Sequence, residues 1–156
     1  MTASETSARY ARIAARAADE KLGTEIAVYD VSDVMAISDI FVVVTGSSER
    51  QVHAIVDEIE DALTAEGQEP LRREGNREFR WVLLDYGQFV VHVQRTQERE
   101  FYGLDRLYAD CPLLEVEGIE AFNRPGDYAD EVNTRTVESI DDIPLAGEAP
   151  LDEDEV

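Results

Sequence analysis

The residues able to do chemistry are few and scattered: two histidines, His53 and His92, one cysteine, Cys111, and a serine pair, Ser47-Ser48, behind Gly46. Residues 45–51 (TGSSERQ) join an apolar run to a helical one, so their backbone amides could hold an anion. They lack the lysine and spacing of a phosphate-binding loop and do not form GxGxxG. Ser48 with Gln51 three residues on has capping-box spacing, and the cap reading is preferred. Nucleotidyl transfer would need carboxylates converging on magnesium. Those at a suitable distance, Asp57, Glu58, Glu60 and Asp61, fall within a helical pattern, where neighbours splay by about 100°. No zinc-ligand spacing and no GxSxG-like nucleophile turn is present. A Cys111–histidine dyad has nothing to position it, and His92 reads as a packing partner of Trp81. The sequence therefore predicts no catalytic residue, no metal and no cofactor. A metal-dependent nucleotidyltransferase-like enzyme working through Ser47, Ser48 and scattered carboxylates is the rival reading.

Residues 7–22 repeat Tyr10, Ile13, Ala14 and Ala17 at helical spacing, closed by Gly23 at C′. Residues 24–31 form a first strand and 31–39 a loop. Residues 40–44 (IFVVV) have the profile of a central strand covered on both faces. A second helix follows, with Val52, Ile55, Val56, Ile59 and Leu63 as its apolar stripe and Gly67 as its stop. Residues 69–73 suit an edge strand guarded by Pro70 and two arginines, and Glu74-Gly75-Asn76 makes a turn. Thr96 caps a last helix over roughly 97–109, presenting Phe101, Leu104 and Tyr108. The order α-β-β-α-β-β-β-α predicts an α/β (α+β) two-layer sandwich on a mixed five-stranded sheet.

Residues 80–94 (RWVLLDYGQFVVHVQ) organise the rest. They read as two strands meeting at a Tyr86-Gly87 turn, which pairs Asp85 with Gln88, Leu83 with Val90 and Trp81 with His92. One face is then apolar: Val82, Leu84, Phe89, Val91, Val93. The other carries Trp81, Leu83, Asp85, Gln88, Val90 and His92. The apolar face is read as core. The mixed face is expected to lie partly bare and to dock a partner, with Trp81 as anchor. Trp81→Ala should then weaken binding with little loss of fold. Glu74, Tyr86 and Tyr102 are expected at the rim.

Net charge is −21, unevenly spread: residues 112–156 hold 14 Asp/Glu and 2 Arg, residues 1–111 hold 21 Asp/Glu and 12 Lys/Arg. Such a surface does not grip phosphates, so direct nucleic-acid binding is not expected, whereas a basic partner is allowed. No apolar run is long enough to span a membrane. The N-terminus MTASETSARYAR has no apolar signal region, and a lone cysteine suits a reducing cytoplasm. From Cys111 periodicity fades into proline-punctuated acidic text. Residues 1–117 are therefore taken as one domain and 118–156 as an acidic, disordered tail.

Several stretches carry a likeness: 39–48 (DIFVVVTGSS), Gln51 with Ala54-Ile55, Glu74-Gly75, 81–87 (WVLLDYG), 90–93 (VVHV), and Arg99 through Leu107-Tyr108. In order and spacing, over about residues 8–113, the chain resembles the Iojap family, the ribosomal silencing factors. The resemblance implies a nucleotidyltransferase-like fold stripped of catalytic carboxylates. It also implies binding to large-subunit ribosomal protein fourteen, where the large subunit meets the small one. A body there blocks subunit joining and lowers translation when nutrients are short. Homodimers are a further implication, and a mixed face consumed by a second copy is the other rival. The sequence departs from the family at Arg77-Glu78-Phe79-Arg80 and at Gln88, and its acidic extension lies outside the shared pattern.

Overall fold

Ser4 starts the chain's first helix, its hydroxyl accepting from the Ser7 amide at 3.1 Å. In the computed structural model, which describes residues 3–75 and 77–123, helix α1 runs Glu5–Glu20. It buries a stripe of small residues, Ser7, Ala8, Ala11, Ala14, Ala15, Ala17 and Ala18, so its axis lies close on what it covers. The expected C′ residue, Gly23, is one position late. Leu22 takes the left-handed conformation (φ +64°), and the Gly23 amide donates to the Ala18 carbonyl at 2.9 Å, as in a Schellman ending. Gly23 is needed for proximity instead: a Cβ there would stand 2.8 Å from Val44 Cγ1.

Strand β1 (Thr24–Asp30) pairs antiparallel with β2 (Ile40–Gly46), whose seven residues are all buried. Helix α2 (Glu49–Thr64) follows, capped by Ser48 and burying the five residues of the expected stripe. The edge strand β3 is Arg72–Glu74, shorter and later than the sequence pattern placed it. Strands β4 (Trp81–Asp85) and β5 (Phe89–Arg95) complete a mixed sheet in the order β1-β2-β5-β4-β3, with β2 and β5 parallel.

The β4–β5 register differs from the expected one by two residues. Leu83 faces His92 and Trp81 faces Gln94, because the loop is Gly87-Gln88 and Tyr86 pairs with Phe89 across it. Gly87 supplies the positive φ (+90°) at the first loop position, and its amide is held by Asp85 Oδ1 at 2.8 Å. A shift of two keeps every side chain on its face. The apolar face therefore packs as expected, under α1 and α2.

The last helix is two: α3 (Thr96–Tyr102) and α4 (Leu104–Leu107), broken by left-handed Gly103 (φ +62°). Thr96 does not cap it; Arg95 occupies the N-cap position without a side-chain cap bond. The other sheet edge is closed by the chain itself, with Leu113 bridging Tyr29 and the Leu114 amide donating to the Val28 carbonyl. Within the expected tail, Ile119 and Phe122 still pack on the body, one against each side of the sheet. Residues 124–156 lie outside the described residues.

Candidate functional site

The mixed face of the hairpin is not bare. Trp81, Leu83, Val90 and His92 are sealed, with Trp81 at 0% exposure. Trp81, Leu83 and Val90 share a second core with Phe41, Val43, Met35, Leu104 and Tyr108, and His92 lies against its Phe41. Period-two alternation assigned these residues to one face correctly, but it carried no information about what covers that face. The cover is made by α3, α4 and the 31–39 loop. Each of its apolar side chains gains about 1.5–3 kcal/mol from burial, which a bare face would forgo. Trp81 therefore cannot be a surface anchor, and its removal would damage the fold.

Within this layer Trp81 Nε1–H donates to His92 Nδ1 at 3.1 Å, so the proton of the neutral imidazole sits on Nε2. Burial lowers the His92 pKa to about 3, with the positive charge of Arg99 adding to the effect and Asp105 opposing it. His92 also meets Phe41 edge-on at 5.0 Å between centroids. Trp81 in turn backs Tyr102, 4.5 Å away. Among the described residues, His92 Nε2 and both amide atoms of Gln94 find no hydrogen-bond partner. Each such group opposes folding by about 1–3 kcal/mol.

Arg99 is the residue that fastens the cover. Its Nε donates to Asp105 Oδ2 at 2.7 Å and its Nη2 to Asp105 Oδ1 at 3.0 Å. Its Nη1 reaches Thr45 Oγ1 at 3.1 Å and the Glu25 carbonyl at a bulge in β1. The Tyr29 hydroxyl completes the cluster by donating to Asp105 Oδ1 at 2.5 Å. Arg99 stood among the residues of the family likeness, but spacing gave no sign that it would be buried.

The remaining expected contact residues divide. Asp85 forms the turn and faces Arg72 at 3.8 Å. Glu74, half-buried, lies 4.0 Å from the same guanidinium. Tyr102 is half-buried over Trp81. Tyr86 sits on the opposite side of the sheet, stacked on Phe89 at 4.7 Å, and burial raises its phenol pKa, with Glu60 adding to the rise. The seven residues therefore do not form one surface. Glu74, Asp85 and Tyr102 reach the outside, while Trp81, Leu83, Tyr86 and His92 support them from within.

The 45–51 turn, whose amides could hold an anion, is filled by its own side chain. Gln51 Oε1 accepts from the Ser47 amide at 2.6 Å, and its Nε2 donates to the Lys21 and Leu22 carbonyls. One glutamine thus joins the start of α2 to the end of α1. The α2 carboxylates diverge: Asp57 reaches His53, Glu58 faces Lys21, and Glu60 pairs with Arg73. Among the described residues no group of three or more His, Cys, Asp or Glu could hold a metal, and no helix is long and apolar enough to cross a membrane. A cavity of about 630 Å³ lies between α1, β1 and the segment after residue 112, with Arg12 and Arg16 on its rim. None of the seven expected contact residues lines it.

The chain's sequence matches a family described as "Ribosomal silencing factor during starvation" along residues 4–141. It is 39% identical over 106 residues to the ribosomal silencing factor of Bacillus subtilis, covering 68% of this chain and 90% of that one. The Halalkalibacterium halodurans counterpart is 37% identical over 108 residues, covering 69% of this chain and 92% of its relative. A crystal structure from Chromobacterium violaceum superposes with a TM-score of 0.63 at 27% identity, over 72% of this chain and 92% of that one. By sequence and by fold, this chain belongs to the ribosomal silencing factor family.

Proposed function

We propose that this protein represses translation by binding the large ribosomal subunit through its ribosomal protein fourteen and standing where the small subunit must dock. The mechanism is steric and needs no bond made or broken. Family membership is the observation that carries the reading. The charge supports it: a chain of net −21 is drawn toward a basic ribosomal protein and repelled by bare RNA. Glu74, Asp85 and Tyr102 are the direct contacts in this reading. Trp81, Leu83, Tyr86 and His92 are positioning residues that hold the hairpin and α3 in shape. Residues 1–117 are the silencing domain and 118–156 an acidic extension whose first residues, Ile119 and Phe122, still pack on it, and the site of action is the cytoplasm, where subunits assemble. A homodimer is part of the same reading.

The test is to premix the protein with isolated large subunits, add small subunits, and measure joining by light scattering. Joining should fall in proportion to occupancy. Full joining with the protein bound would refute the steric mechanism. Joining blocked by protein that binds only small subunits would refute the choice of target.

A further inference from the structure

Four large apolar side chains are exposed among the described residues, and two of them belong to segments that bond the β4–β5 turn. Ile37 is 74% exposed and Leu71 77%. Ser38, next to Ile37, donates its hydroxyl to the Gly87 carbonyl at 3.0 Å, and the Asp39 amide donates to the Gln88 carbonyl at 2.6 Å. On the other side the Leu71 amide donates to the Asp85 carbonyl at 2.7 Å, and Leu71 Cδ1 lies 3.3 Å from where a Gly87 Cβ would stand. Leu71 is thus pinned to the hairpin by its own amide, and Ile37 is held beside it through its neighbours, the Ser38 hydroxyl and the Asp39 amide. They are not the tips of loose loops. Gly87, with φ +90°, leaves the backbone beside Leu71 without a side chain.

Two carboxylates flank the tip. Asp39, whose amide bonds the Gln88 carbonyl, has its carboxylate bonded, among the described residues, only by neutral groups of Ser4 and Ser7, and Asp85 holds the Gly87 amide. The nearby guanidiniums are already engaged: Arg72 by Asp85 and Glu74, Arg73 by Glu60. Two exposed apolar side chains on either flank of the hairpin tip, with Asp39 and Asp85 beside them, suit a protein segment that brings apolar side chains flanked by lysine or arginine.

We propose that the β4–β5 hairpin tip, through Ile37, Gly87 and Leu71, is the surface that takes a basic segment of the ribosomal protein partner. This rests on the silencing function above and adds to Glu74, Asp85 and Tyr102 a further contact at the hairpin tip, beside Asp85. The apolar pair would bury itself against the partner's side chain. The carboxylates would orient the flanking cations, giving a contact that weakens with salt.

The test uses the full chain, its Ile37→Ala/Leu71→Ala double variant and a Leu71→Lys variant, each titrated onto isolated large subunits. Both changes fall on exposed side chains, so the melting transition should not move. The double variant should bind at least tenfold more weakly, and Leu71→Lys more weakly still because it places a cation before a basic partner. Binding of the double variant within twofold of the parent, with the parent bound, would overturn the surface and leave the silencing reading standing. A parent that does not bind large subunits would overturn both. Two further results would overturn the surface alone: parent dimers that dissociate in the double variant while subunit binding persists, and equal loss of binding to protein-free ribosomal RNA.

Discussion

Trp81 and His92 act as a buried pair whose worth lies in the fold. Trp81→Ala should cost about 3–5 kcal/mol of stability, since it empties a large site in a closed layer and strands His92 Nδ1 without its donor. Urea denaturation reads this directly, and a loss under 1 kcal/mol would mean the layer is not packed as described. His92 also predicts a pH dependence. Its folded pKa is about 3 against an ordinary 6.5, so between those values the unfolded chain binds a proton that the folded one refuses. Stability is full above pH 6.5 and falls with acidification, by about 1.4 kcal/mol per pH unit once well below 6. Measured between pH 5 and 6.5, where ordinary carboxylates stay ionised, His92→Gln should flatten that slope. An unchanged slope would place the titration elsewhere.

Helix ends and the α3–α4 cover show where local sequence speaks and where it falls silent. Ser48 and the α2 stripe could be read directly, because capping and a 3.6-residue period are local properties. The end of α1 could not: Gly23 looked like the left-handed residue, yet the chain spends it on contact with Val44 and puts Leu22 in the strained position. Leu22→Gly should therefore stabilise the protein by about 1 kcal/mol, because Leu22 is exposed and loses no packing. A rise of a few degrees in melting temperature would show it, and a fall would mean Leu22 is not strained. The hairpin's faces were legible from alternation, but its register was not, since two loops differing by two residues give the same faces. Hardest to see was the cover itself. Gly103 splits what reads as one helix, and Arg99 fastens the pieces through Asp105, Thr45 and the Glu25 carbonyl, contacts 6 to 74 residues apart in sequence. Long-range polar clusters of this kind leave no period to detect.

As a whole the molecule is a sheet closed on both faces, with β1's edge sealed by residues 112–114 and acidic charge over its surface. In the proposed mechanism such a body acts by occupying space, and long-range attraction governs how fast it arrives. Association with large subunits should therefore slow steeply as salt rises, and a rate independent of salt would argue against a basic target. The fold class and family were legible because they rest on the order of elements and on short motifs spread over about a hundred residues. The docking surface was not, because it depends on which faces the chain has already covered. The most direct measurement is subunit joining itself: large subunits saturated with this protein, then mixed with small subunits and resolved on a sucrose gradient. The account predicts that the subunits stay separate, with the protein comigrating with the large one. Joined ribosomes still carrying the protein would contradict it.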